Sequence, residues 1–140
     1  MSMFEVPEYK LHRFKFLFIF SVEHDFCALV KTLLDVLLEI CLGRDELSRE
    51  SLQMLLEIHL LNRAVKMRSR KMVGVLINYF VPTDSGKTYI FLPNLAGPGG
   101  ITPLHLAACM SDANSMVDTL TTDPLEVCNF IIIFWFLVIH

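Results

Sequence analysis

Four cysteines, five histidines and one run of bases are the side chains that could do chemistry in this sequence. Cys27, Cys41, Cys109 and Cys128 are dispersed, with no CxxC pair among them. That spacing excludes a redox dithiol and a zinc-finger ligand set. The four read as reduced intracellular thiols packed as small hydrophobes. His24 and Asp25 stand beside Cys27 and invite a Cys–His nucleophile. A helix start there would turn Cys27 toward the core, however, and no oxyanion motif lies nearby. Asp35 and Glu39 share a helix face, which is common on charged faces and is no acid–base pair by itself. Asp84-Ser85-Gly86-Lys87-Thr88 has the ending of a phosphate-binding loop, but the first glycine would fall at position 81, which is Val81. A surface turn is expected instead. No catalytic constellation emerges, so the chain is expected to be no enzyme and to carry no cofactor. What remains is Arg63, Lys66, Arg68, Arg70 and Lys71, five bases within nine residues. They form a candidate partner-binding patch, set against the plainer reading of a solvated face. Phosphate contact by this run is weakly supported, because no aromatics interleave it.

The elements that must position this patch follow from the hydrophobic pattern. The chain has 140 residues, enough for one domain, with 54% apolar and 19% charged residues. Such a composition excludes disorder as the main state. The net charge of −3 excludes a basic nucleic-acid module overall. Every Lys and Arg lies at or before Lys87. Lys10, Arg13 and Lys15 before Phe16–Phe20 imitate a signal peptide, but Glu23, His24 and Asp25 follow and no cleavage site does.

Residues 1–12 are expected to be a flexible leader, and 13–60 a helical N-terminal cap region. Within it, Arg13–Ser21 fits both a strand alternation and a helical spacing. Asp25 is placed to cap the next segment, where Phe26, Val30, Leu33, Leu34, Leu37 and Cys41 make a helical stripe ending at Gly43. A further helix is expected from about Ser48, with Leu52, Leu55, Leu56 and His59 on one side. Residues 61–81 should hold a helix pair, its second stripe running Met72, Val73, Leu76, Ile77 and Phe80. Residues 82–100 are a Gly/Pro-rich loop with a short strand at Tyr89–Leu92. Residues 101–124 hold two short helices, and 125–140 form an apolar tail. Its run Phe130–Ile139 is ten residues long, about half of what a membrane span needs. Without residues 127–140 the apolar share falls to half, so the surplus belongs to the tail.

The segment Gly99-Gly100-Ile101-Thr102-Pro103-Leu104-His105-Leu106-Ala107-Ala108 resembles the core of an ankyrin repeat. Gly100 permits a positive φ at the turn, Thr102 can cap the helix, and Pro103 suits its first position. Leu104 faces the core, Ala107 and Ala108 admit a close second helix, and His105 is expected to make structural hydrogen bonds. A neighbouring copy is visible. Leu61, Ala64 and Val65 align with Leu104, Ala107 and Ala108 at a spacing of 43. Met72, Val73 and Leu76 align with Met116, Val117 and Leu120 at 44. The usual ankyrin period is about 33, so the extra residues fall in the 82–100 loop. The expected fold is all-α: an ankyrin-type array with irregular N-terminal helices and a long inter-repeat loop.

The resemblance extends further. Leu60-Leu61-Asn62-Arg63-Ala64-Val65-Lys66, then Arg70-Lys71-Met72-Val73 and Tyr89-Ile90-Phe91, lead into Pro93-Asn94-Leu95-Ala96-Gly97-Pro98-Gly99-Gly100-Ile101-Thr102-Pro103-Leu104-His105. With Phe20-Ser21-Val22-Glu23-His24-Asp25-Phe26 upstream, these runs resemble the C-terminal region of the large plant SQUAMOSA promoter-binding-like proteins. The resemblance covers roughly residues 11–126 and implies a nuclear transcription regulator. In that family zinc is held by the SBP DNA-binding domain, whose Cys/His spacing this chain lacks. The implied role is therefore contact with a protein partner, without direct DNA binding and without zinc. After Asp123-Pro124-Leu125-Glu126 the family pattern breaks off into the apolar tail. That break reads as a truncated or misjoined product. Two alternatives stand beside the interaction role: a membrane-attached ankyrin protein held by Phe130–Ile139, and a nonfunctional gene product.

Overall fold

The computed structural model describes residues 8–41, 45–84, 86–111 and 113–121. The leader before residue 8 and the apolar tail with Phe130–Ile139 lie outside the described residues. The elements are α1 (Glu8–Glu23), α2 (Cys27–Cys41), α3 (Asp45–Glu57), α4 (Leu60–Lys66) and α5 (Arg70–Ile77), then β1 (Phe80–Thr83) and β2 (Gly86–Tyr89). A single 3-10 turn (Pro98–Gly100), α6 (Pro103–Ala108) and α7 (Ala113–Thr121) complete them. Among the described residues no helix is long and apolar enough to cross a membrane.

The helices stack as three pairs of consecutive helices: α1–α2, α4–α5 and α6–α7. First members touch first members, α1 on α4 and α4 on α6. Second members follow the same order, α2 on α5 and α5 on α7. The pair α4–α5 is thus covered on both sides. Its Leu60, Ala64, Val65, Met72, Val73 and Leu76 are fully buried. Ala64 is small enough for α1 and α6 to approach the same helix. One continuous core joins Phe18 and Val22 of α1 to Leu120 of α7 through these residues.

The N-terminal region holds three helices. The layer against α4–α5 is α1–α2, while α3 packs on the flanks of α1 and α2. Helix α1 begins at Glu8, inside the expected leader. The ambiguous Arg13–Ser21 stretch is helical because Phe18 and Val22, four apart, both reach the core, as does Phe14 in part. Its alternating phenylalanines do not form a strand face. Phe26 opens the expected stripe of α2 yet is 47% exposed, because the chain turns at Asp25 with φ 59° and α2 starts one residue later. Asp25 spends its carboxylate on Ser69 across the turn. Helix α3 starts earlier than Ser48 and ends before His59, which takes a left-handed φ of 49°.

The 82–100 segment is not wholly loop. Phe80 leaves the α5 stripe and pairs with Tyr89 in a two-stranded antiparallel hairpin, with Thr83 opposite Gly86. The strand therefore lies before the expected Tyr89–Leu92. After Ile90 and Phe91 return to the core, the base of this finger is pinned. Gly97 N–H donates to the Ile101 carbonyl at 2.8 Å, and Asn62 Nδ2 donates to the same oxygen at 3.3 Å. A Cβ at Gly97 would meet Asn62 Nδ2 and push that amide off the Ile101 carbonyl, so glycine permits the close approach.

Candidate interaction surface

Helix α6 is set up by local chemistry. Gly100 has φ 76°. Thr102 Oγ1 accepts from His105 N–H at 3.1 Å, and Thr102 N–H donates to His105 Nδ1 at 3.0 Å, a reciprocal capping box. Since Nδ1 accepts, the neutral ring carries its proton on Nε2. Pro103 occupies the first turn, Leu104 and Ala107 are buried, and Ala108 is half-buried. These residues set the start of α6.

The five bases sit on α4, the α4–α5 turn and the start of α5, and the fold divides them. Arg63 turns toward α1: its Nη1 lies 3.1 Å from Glu23 Oε1, and its Nε donates to the Ile58 carbonyl at 2.8 Å. Arg70 turns toward α7 and donates to Thr119 Oγ1 at 3.1 Å. Lys66, Arg68 and Lys71 are exposed, and Arg68 takes a left-handed φ of 59° that sharpens the turn. Ser69 caps α5 by accepting from Met72 N–H at 3.1 Å, while its hydroxyl donates to Asp25 Oδ1. Arg63 and Arg70 are thus each bonded to a neighbouring helix, while Lys66, Arg68, Arg70 and Lys71 are all exposed. Glu23, His24, His59, Arg63, Lys66 and Pro98 line an open depression of about 560 Å³ beside it.

Other candidates resolve structurally. Cys27 Sγ lies 3.8 Å from Asp25 Oδ1. Burial and then the Asp25 charge push its thiol upward, the opposite of an activated nucleophile. His24 Nδ1 lies 2.8 Å from the Phe20 carbonyl and so is engaged along its own helix. Asp35 accepts from Tyr79 Oη at 2.8 Å, which ties α2 to the end of α5. Burial and that carboxylate raise the Tyr79 phenol. Lys87 rests 4.5 Å over the Phe80 ring, a cation–π contact on the hairpin. Cys109 is exposed and Cys27 half-buried, against the expected burial of the thiols. Cys109 follows the short α6 directly, so its side chain points off the end. Among the described residues no three His, Cys, Asp or Glu side chains group as metal ligands.

One feature was not drawn from the linear sequence. The turn of bases lacks aromatic neighbours in sequence, yet folding bonds it to the α1–α2 turn, where His24 stacks on both Phe20 and Phe26. The i, i+4 spacing of Phe16, Phe20 and His24 was the available clue.

Over 122 residues the chain is 53% identical to "Squamosa promoter-binding-like protein 16" of Arabidopsis thaliana, a match spanning 86% of this chain and 12% of that protein. It is 56% identical over 117 residues to "Squamosa promoter-binding-like protein 15" of Oryza sativa subsp. japonica, spanning 82% and 10%. "Squamosa promoter-binding-like protein 1" of Arabidopsis thaliana is 38% identical over 119 residues, spanning 85% and 13%. The chain thus matches 10–13% of the length of these relatives. No family model and no solved structure matches it.

Proposed function

We infer that the chain is a segment of the squamosa promoter-binding-like family, acting in a nuclear transcription regulator as a noncatalytic protein-interaction stack. The relatives are promoter-binding by name, and their binding is assigned to them and to no residue of this segment. In this reading α4–α5 and α6–α7 are ankyrin-type repeats, with α1–α2 as the layer that closes the N-terminal side. The observation that carries the reading is the stacking order, first helix on first and second on second. Repeats stacked this way place successive turns along one edge, which is how helical solenoids present surfaces to protein partners. The outward Lys66, Arg68 and Lys71 lie on such a turn.

The competing reading is that the segment itself contacts promoter DNA. Fluorescence anisotropy of the purified chain decides between them. One labelled duplex carries the promoter sequence selected by the Arabidopsis relative, and the other a shuffled sequence of the same composition. The expected result is no binding, or equal binding to both that fades with salt. A preference of about tenfold or more for the promoter duplex, about 1.4 kcal/mol, would overturn the protein-interaction reading.

A further inference from the structure

The corner between α1 and α2 carries bulky side chains that the core does not use. His12, Phe16 and Phe20 recur every four residues and so share one face of α1, and His24 continues the row just past its end. Phe16 is 66% exposed and Phe20 is 38% exposed. Their rings form a ladder: Phe16 to Phe20 at 6.2 Å, Phe20 to His24 at 4.0 Å, and His24 to Phe26 at 5.9 Å between centroids. Phe26 carries the ladder round the turn to α2, where Leu29 is also exposed. Single exposed apolar residues are ordinary, but a contiguous patch of this kind marks an interaction site.

Charge supplies the second observation. The same corner is stitched to the basic turn by Glu23 with Arg63 and by Asp25 with Ser69. Lys71 lies close enough for its charge to act on the Cys27 thiol. Glu23 and Asp25 are thereby engaged, while Lys66, Arg68 and Lys71 stay exposed, and Lys66 lines one depression together with His24 of the ring ladder. Apolar rings bordered by cations complement a ligand with acidic groups bordering apolar ones.

We propose that the aromatic α1–α2 corner and the basic α4–α5 turn form one docking surface for an acidic protein segment bearing bulky apolar side chains. This rests on the reading of the chain as a protein-interaction stack and names the chemistry of its partner. A nucleic acid fits less well. Bases need open ring faces, whereas Phe20 already has His24 stacked on it, and two carboxylates occupy the same corner. A second copy of the chain fits less well too, because it would bring the same cations together.

The test is fluorescence anisotropy of a labelled peptide alternating Asp with Leu and Phe, titrated with the 140-residue chain. The acidic peptide should bind, and binding should weaken as salt rises. Phe16→Ser with Phe26→Ser should weaken it about tenfold or more, as loss of aromatic anchors does. Lys66→Glu with Lys71→Glu should weaken it about threefold or more. Both pairs are exposed, and unchanged thermal melts by circular dichroism will show that each variant is folded. Four results overturn the surface: no binding, equal affinity for a peptide with Lys in place of Asp, tighter binding of a single-stranded oligonucleotide, or affinity unchanged in both variants. Sedimentation showing a dimer that Phe16→Ser with Phe26→Ser dissolves would assign the face to a second copy and also overturn it. A chain that ignores both the acidic peptide and promoter DNA overturns this surface alone. One that selects the promoter sequence overturns the reading beneath it.

Discussion

Helices α4 and α6 occupy equivalent places in adjacent pairs, yet they are held by different physics. Helix α6 is specified within a few residues: Thr102 and His105 satisfy each other's backbone groups, and Pro103 presets the first turn. Helix α4 begins at His59, which has a left-handed backbone and makes no side-chain cap. What holds it is its position between two neighbours. Leu60, Ala64 and Val65 are fully buried, and Asn62 and Arg63 tie its polar side to the finger and to α3–α1. A short helix in the middle of a stack can dispense with a cap because burial on two sides replaces it. A helix with a neighbour on one side only among the described elements cannot.

Three measurements can break or sharpen this contrast. Leu60→Ala should cost the most, about 2–5 kcal/mol in chemical denaturation, since it opens a cavity between layers. Thr102→Ala should cost about 0.5–2 kcal/mol, the usual loss of a cap. If the capping variant proves the more damaging, the contrast between α4 and α6 fails. The smallest effect is expected at Tyr79→Phe, about 1 kcal/mol or less near neutral pH, because Asp35 is exposed. Its pH dependence is the sharper readout. The folded state raises the Tyr79 phenol above its ordinary value of 10.0, so the protonated form is favoured by folding. That contribution is full below pH 10 and declines as pH rises past it, because the unfolded chain loses the proton first. Denaturant midpoints measured at rising alkaline pH should fall for the parent chain, and less steeply for Tyr79→Phe.

The same contrast explains what could be read in the linear chain. The Gly-Ile-Thr-Pro-Leu-His run was legible because the bonds that start α6, Thr102 with His105, lie within a few residues. Leu61, Ala64 and Val65, aligned in the sequence with Leu104, Ala107 and Ala108, lie on α4 although no local start signal marks that helix. The pairing of α1 with α4 was not legible. Phe14, Phe16, Phe18 and Phe20 are chemically alike, and only the neighbour across space decides that Phe18 is buried while Phe16 faces out. The division of the bases was hidden for the same reason. Nothing near Arg63 or Arg70 in sequence announces Glu23 or Thr119, which lie 40 and 49 residues away. The strand was misplaced because Phe80 continues the helical stripe of α5 and is diverted only by pairing with Tyr89.

The pinned base of the finger has a consequence for how such chains can vary. Gly97 and Asn62 meet at the Ile101 carbonyl, and Leu104 N–H reaches the Pro93 carbonyl at 3.4 Å. The take-off into α6 is thereby fixed independently of what precedes Ile90. The hairpin tip beyond Val81 contributes nothing to that clasp, so residues can be gained or lost there without changing the pitch of the stack. Insertions and deletions should accumulate between β1 and β2 and be absent from 93–101. The offset of 43 residues between the two pairs is then an adjustable length, while the spacing between stacked helices stays constant.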